Sequence, residues 1–119
     1  MSAKIVGAKD KSEVAIMNSL TVNLHLFMIS FYKPTSSRFK IIMEGHAFPS
    51  DRYAVRSQVE MRGVASVDDA VIELRPREGE HTLRTEDIVD RIKEEGDTVA
   101  LVMLSGVQYY TGLTQKNPA

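Results

Sequence analysis

Four short apolar runs punctuate the chain, at about residues 13–17, 39–43, 70–74 and 99–104, with longer stretches of mixed character between them. Runs such as Val99-Ala-Leu-Val-Met-Leu104 are apolar throughout instead of alternating, the pattern of strands covered on both faces in a parallel sheet. The intervening stretches read as helices. The order is therefore βαβ, which predicts an α/β fold: a partial, mainly parallel sheet with flanking helices. No repeat and no low-complexity tract interrupts it, which excludes solenoid architectures.

The stretch from Glu13 to Phe31 organises the rest. It reads as a short buried strand, a polar turn at Asn18-Ser19-Leu20-Thr21, and a strongly apolar helix from about Val22 to Tyr32. A turn of this kind gathers unpaired backbone N–H groups and the positive end of a helix dipole, which together attract an anion. Thr21 adds a hydroxyl to the N–H groups near Leu20 and Thr21. The turn holds no lysine and the GxxxxGK[ST] motif is absent, so a P-loop is excluded. The other reading is that Ser19 or Thr21 serves only as an N-cap. The helix carries Val22, Leu24, Leu26, Phe27, Met28, Ile29 and Phe31 around most of its circumference, so it needs cover on several sides. His25 within it has no second metal ligand at helical spacing and reads as a hydrogen-bonded core histidine.

The second predicted strand, Phe39–Met43, runs into Glu44-Gly45-His46-Ala47-Phe48-Pro49-Ser50-Asp51. In open α/β sheets ligands collect outside the carboxyl ends of the strands, so this loop and the Leu20-Thr21 turn are expected on one edge. Phe48 either stacks on a planar ring or joins the core. Pro49, Ser50 and Asp51 either line a site or start the helix expected near Arg52. Gly63 is expected to end that helix, and Val64–Asp69 to link it to the third strand. Arg75-Pro76-Arg77-Glu78-Gly79-Glu80 is a charged loop, solvated or anion-binding. Thr85 is expected to cap a helix closed by Gly96, and the last strand, Thr98–Leu104, delivers Ser105 to the same carboxyl edge, as a ligand or simply as the strand's end. Met103 stands where a GxSxG elbow would need glycine.

Composition narrows the chemistry. The chain has 119 residues, 43% of them hydrophobic, enough for one domain with a core. Fifteen basic against sixteen acidic residues leave a net charge of −1, which offers no electrostatic grip on nucleic acid or anionic membrane. There is no cysteine, hence no disulfide framework, thiolate metal site or cysteine nucleophile. The N-terminus has no apolar h-region and no run is long enough to span a bilayer, so the expected location is cytoplasmic.

Four blocks, NSLTVNLHLFMISFYKPT, AFPSDRYAVRSQ, RPREGEHTLRTEDI and LSGVQYYTG, occur in an order and at intervals that resemble kynureninase, a pyridoxal 5′-phosphate (PLP) enzyme of the aspartate aminotransferase fold family. The resemblance extends from about Ile5 to Pro118. It implies hydrolytic cleavage of L-kynurenine and 3-hydroxykynurenine to anthranilate or 3-hydroxyanthranilate and L-alanine, in tryptophan catabolism toward NAD, by a cytoplasmic homodimer. It also implies that residues matching Leu20 and Thr21 hold the cofactor phosphate, that Phe48 stacks on the pyridine ring, that Pro49, Ser50 and Asp51 line the site, and that Ser105 touches the cofactor. In the family the Schiff-base lysine, the acidic partner of the pyridinium and the arginine for the substrate carboxylate all lie beyond the part matching Ala119. Residues 1–119 are accordingly expected to form a single, partial PLP-binding large domain with cofactor contacts, no catalytic residue and no turnover alone. The alternative is a non-enzymatic protein that binds a phosphate-bearing ligand or pairs with full-length subunits.

Overall fold

A computed structural model describes residues 2–112 and Thr114. The chain opens with α1 (Ser2–Ile5) and a 3-10 turn at Lys11–Glu13, followed by α2 (Leu20–Phe31). After it come β1 (Lys40–Glu44), α3 (Pro49–Arg62), α4 (Val67–Ala70), β2 (Val71–Leu74), α5 (Thr85–Glu95) and β3 (Val99–Met103). The three strands form one parallel sheet in the order β2-β1-β3, with Ile42 facing Ile72 on one side and Val102 on the other. This is the α/β architecture with a parallel sheet and flanking helices that the apolar pattern predicts.

The unbroken apolar run of β1 follows from its central place. Successive side chains of a strand point to opposite faces. Ile41 and Met43 pack on one face with Met28 and Tyr32 at the end of α2 and with Val55 and Val59 of α3. Ile42 packs on the other face with Leu74, Ile88 and Val99. All three β1 residues are inaccessible to solvent.

The expected strand at 13–17 is absent. Glu13 closes the 3-10 turn, Val14 is extended, and residues 14–17 form no strand ladder among the described residues, with Ile16 91% exposed. A strand exists only through a ladder with a neighbour, and an apolar run does not say whether one is alongside. The helix that follows begins at Leu20 and not Val22, so Leu20 and Thr21 lie in its first turn. Its expected cover is one-sided. Met28 is buried, Leu24 packs on the core, and Leu20, Val22, Leu26, Phe27, Ile29 and Phe31 are exposed.

Other boundaries move for local reasons. Helix α3 starts at Pro49 instead of near Arg52, because proline's fixed φ suits the first helical position; Ser50 and Asp51 thereby enter its first turn. Gly63 ends it in the left-handed conformation at φ 63°. The link at 64–69 holds α4, capped by Ser66 Oγ accepting from the Asp69 N–H at 3.1 Å. Thr85 is the first residue of α5 and not its cap; Arg84 takes the cap position and makes no side-chain cap bond. Arg84 instead pairs with Glu80, and Arg77 grips Asp87 through two bonds of 3.0 and 2.6 Å, fixing the helix entry from outside. Gly96 follows α5 in a right-handed conformation.

Candidate functional site

At the carboxyl edge of the sheet the first turns of α2 and α3 and the ends of β1 and β3 enclose a cleft of about 640 Å³. Its walls include Leu20, Thr21, Phe48, Ser50, Asp51 and Ser105. Six of the seven residues singled out from the sequence therefore converge, although they come from three separated stretches. Pro49 does not line the cleft; it is exposed and starts α3. A second cleft of about 470 Å³ adjoins the first, with Glu44 and Tyr109 in both walls and His46, Arg75 and His81 on its far side.

The amino end of α2 presents its N–H groups uncommitted to a side-chain cap. Ser19 occupies the cap position with extended backbone (φ −60°, ψ 156°), yet its hydroxyl makes no cap bond. The Ser19 N–H is taken by Asn18 Oδ1 at 2.7 Å, and the Asn23 N–H by the Ser19 carbonyl at 3.0 Å. The first-turn N–H groups of Leu20, Thr21 and Val22 precede the helical ladder and have no acceptor within it. The N-cap reading therefore holds for Ser19 in position, though its hydroxyl makes no cap bond, and Thr21 lies within the first turn.

Phe48 is half exposed, which removes it from the core. Its ring meets Tyr109 edge-on, with centroids 5.1 Å apart and planes at 82°. Beside it Ser50 Oγ donates to Asp51 Oδ1 at 3.2 Å. Across the mouth, Ser105 Oγ donates to Glu44 Oε2 at 2.8 Å, tying the end of β3 to the end of β1. Sequence reasoning assigned nothing to Glu44 or Tyr109. A charge closing an apolar strand at its carboxyl end was the available signal for Glu44; Tyr109 had none beyond its nearness to Ser105.

No lysine or arginine is among the cleft's described lining residues. Lys33 Nζ donates to the Ile29 carbonyl at 3.1 Å and Lys40 pairs with Glu95 at 2.6 Å. Arg75 pairs with Glu73 at 2.9 Å and Arg77 with Asp87, so the charged loop is engaged at the surface. His25 is half-buried and lies 3.0 Å from the Gln58 amide through Nδ1, as a hydrogen-bonded structural histidine. Among the described residues no group of three His, Asp or Glu side chains is placed to hold a metal, and no helix is long and apolar enough to cross a membrane.

The arrangement suits a flat ligand carrying a phosphate. The α2 terminus offers N–H donors and the Thr21 hydroxyl to an anion, Phe48 offers an aromatic surface, and Met103, Leu104 and Val107 supply an apolar wall. Among the described residues, the groups that could face an anion here are backbone N–H groups and the Thr21 hydroxyl, and no cation lines the cleft.

No protein-family model matches the chain. Among proteins of known name it is 59% identical to a kynureninase of Nematostella vectensis over 92% of its own length and 23% of that protein's. It is 52% identical to a kynureninase of Homo sapiens over 97% of its length and 24% of that protein's. It is 60% identical to a kynureninase of Myxococcus xanthus over 93% of its length and 26% of that protein's. The chain thus spans about a quarter of the length of these relatives.

Proposed function

For a chain that is similar to kynureninases along more than nine-tenths of its residues, we propose that it builds the phosphate and ring contacts of a kynureninase PLP site. The observation that carries this reading is the convergence of Leu20, Thr21, Phe48, Ser50, Asp51 and Ser105 on one cleft. The whole protein's activity is then hydrolysis of L-kynurenine or 3-hydroxykynurenine to anthranilate or 3-hydroxyanthranilate and L-alanine. It would act as a cytoplasmic homodimer in tryptophan catabolism toward NAD.

In this reading the N–H groups of Leu20 and Thr21 and the Thr21 hydroxyl bind the phosphate. Phe48 holds the ring against one wall, while Pro49, at the head of α3, sets where Ser50 and Asp51 enter the cleft. Asp51 is placed to accept a hydrogen bond, and Ser105 contributes its hydroxyl oxygen. When bound, PLP would supply an electron sink for breaking the bond between the substrate's β-carbon and its ketone carbon, one bond removed from the amino-bearing carbon. No lysine lines the cleft among the described residues, so in this reading those residues orient the cofactor without supplying an amine to it.

The test measures binding and turnover separately on the 119-residue chain. Equilibrium dialysis is expected to show saturable PLP binding that Thr21→Ala weakens, by roughly tenfold for one lost charge-assisted hydrogen bond. Anthranilate fluorescence with L-kynurenine and PLP is expected to stay at the level of a PLP-only control. Absence of PLP binding would overturn the cofactor reading, and repeated turnover would overturn the expectation of a catalytically silent chain.

A further inference from the structure

Glu44 is a carboxylate more than nine-tenths buried, and among the described residues no cation pairs with it. Burying an unpaired carboxylate costs several kcal/mol unless hydrogen bonds replace its water. Among the described residues its side-chain hydrogen bond comes from Ser105 Oγ at 2.8 Å. Glu44 has no place in the contacts proposed above, yet it lines both clefts at the point where they meet. Set where two clefts meet, with no counter-ion among the described residues, its carboxylate is placed to act on its hydrogen-bonded neighbour Ser105.

A serine hydroxyl has one proton and two lone pairs. In this structure the Ser105 proton is spent on Glu44, so toward a ligand Ser105 Oγ offers lone pairs only. A phosphate ester near neutral pH is chiefly an acceptor and has little to donate in return, and its charge repels a nearby carboxylate. The uncapped terminus of α2 is the cleft's anion-holding feature, and the Glu44–Ser105 pair belongs to a different element pair, the ends of β1 and β3. We propose that Glu44 is a positioning residue that holds Ser105 Oγ as a hydrogen-bond acceptor, so that Ser105 meets a donor group on the ring end of the bound ligand and not its phosphate. The inference rests on the cofactor reading and deepens it.

Equilibrium dialysis of the full chain against deoxypyridoxine phosphate, which lacks the aldehyde and cannot label surface lysines, and against unphosphorylated deoxypyridoxine, separates the two ends. Glu44→Met keeps the side-chain volume and removes the acceptor; it is expected to weaken both ligands by roughly fivefold, the effect of one hydrogen bond. Glu44→Gln keeps an oxygen able to accept the Ser105 proton and is expected to bind within about twofold of the unsubstituted chain. Ser105→Ala should weaken both ligands equally, with Glu44→Met adding nothing to it. Thr21→Ala should weaken the phosphate-bearing ligand alone. Unchanged binding in Glu44→Met, a loss that adds fully to Ser105→Ala, or a loss confined to the phosphorylated ligand would overturn the assignment. Should circular dichroism show that Glu44→Met does not fold, Glu44→Ala takes its place with the same outcomes, and a phosphate-only loss in Ser105→Ala refutes the proposal in either case. If the unsubstituted chain binds neither ligand, the cofactor reading falls and takes this proposal with it; intact binding with an unmoved Glu44→Met removes only the role of Glu44.

Discussion

Tyr32 shows how one polar atom is accommodated in the core. Its ring is buried against Met28 and Ile41, and its hydroxyl donates to the Phe39 carbonyl at 2.7 Å. Burial pushes its ionisation above the ordinary tyrosine value, against a smaller opposing effect of Arg62. Tyr32→Phe strands that carbonyl without its partner and is expected to cost about 1–2 kcal/mol in urea unfolding; an unchanged midpoint would show the bond is replaced by water. Gly45 is fixed by space. Its N–H donates to the Leu74 carbonyl at 2.6 Å, and an added Cβ would stand 2.7 Å from Arg75 Cγ and 2.8 Å from the Leu74 oxygen. The arginine can swing aside but the backbone oxygen cannot, so Gly45→Ala should destabilise by about 1–3 kcal/mol, read by thermal melting. At this scale the candidate contacts Thr21, Phe48, Asp51 and Ser105 were legible because their types suit a phosphate, a ring and hydrogen-bonding groups. Glu44 was not, since its hydrogen-bond partner is a serine 61 residues further along.

Among elements, the apolar runs divide into those that found a neighbour and the one that did not. Ile42 sits in β1, inaccessible, packed on Leu74, Ile88 and Val99. Ile16 belongs to a run of similar composition and is almost wholly exposed. Ile42→Ala should therefore cost about 2–5 kcal/mol, whereas Ile16→Ala should stay within about 0.5 kcal/mol. Parallel denaturant titrations check both, and a large loss at Ile16 would mean that its run is packed after all. Helix boundaries behaved differently. Pro49 and Gly63 bracket α3 by their own backbone preferences, while at α5 the cap position falls on Arg84 instead of Thr85, and the loop before it is tied by the Arg84–Glu80 and Arg77–Asp87 ion pairs. Helix α2 keeps an exposed apolar surface, with Phe27 and Phe31 in tilted contact at 6.0 Å. Its composition announced the need for cover and not which element would provide it.

Across the whole molecule, charge joins elements 55 residues apart in the chain. Lys40 at the start of β1 meets Glu95 at the end of α5 at 2.6 Å. The hydrogen bond from Lys40, helped by that charge and by Thr98, outweighs desolvation and holds the Glu95 carboxyl below its ordinary 4.5. A depressed carboxyl stabilises the fold when ionised. Its contribution is whole above that ordinary value and is lost as the pH falls through the lower folded one. Lys40→Met should destabilise by about 1 kcal/mol near neutral pH, with the gap to the unsubstituted chain narrowing below about pH 4.5. Urea midpoints across that range test it, and a gap independent of pH would assign the loss to packing. The cleft is likewise a property of the whole, since α2, the β1–α3 junction and the end of β3 meet only because a parallel sheet sends its strands' carboxyl ends to one edge.

The sequence by itself determined the α/β class, the strands at β1, β2 and β3, and the residue types of the candidate contacts, because unbroken apolar runs, proline and glycine act through local backbone and burial preferences. It also carried the kynureninase resemblance that the relatives bear out. Tertiary structure alone decided that residues 14–17 join no strand ladder among the described residues, that Phe48 leans on Tyr109, and that Glu44 accepts the hydrogen bond of Ser105. The reason is the same in each case: pairing, ring contact and hydrogen bonding depend on atoms far apart in the chain, and their meeting is set by the sheet and not by either local segment.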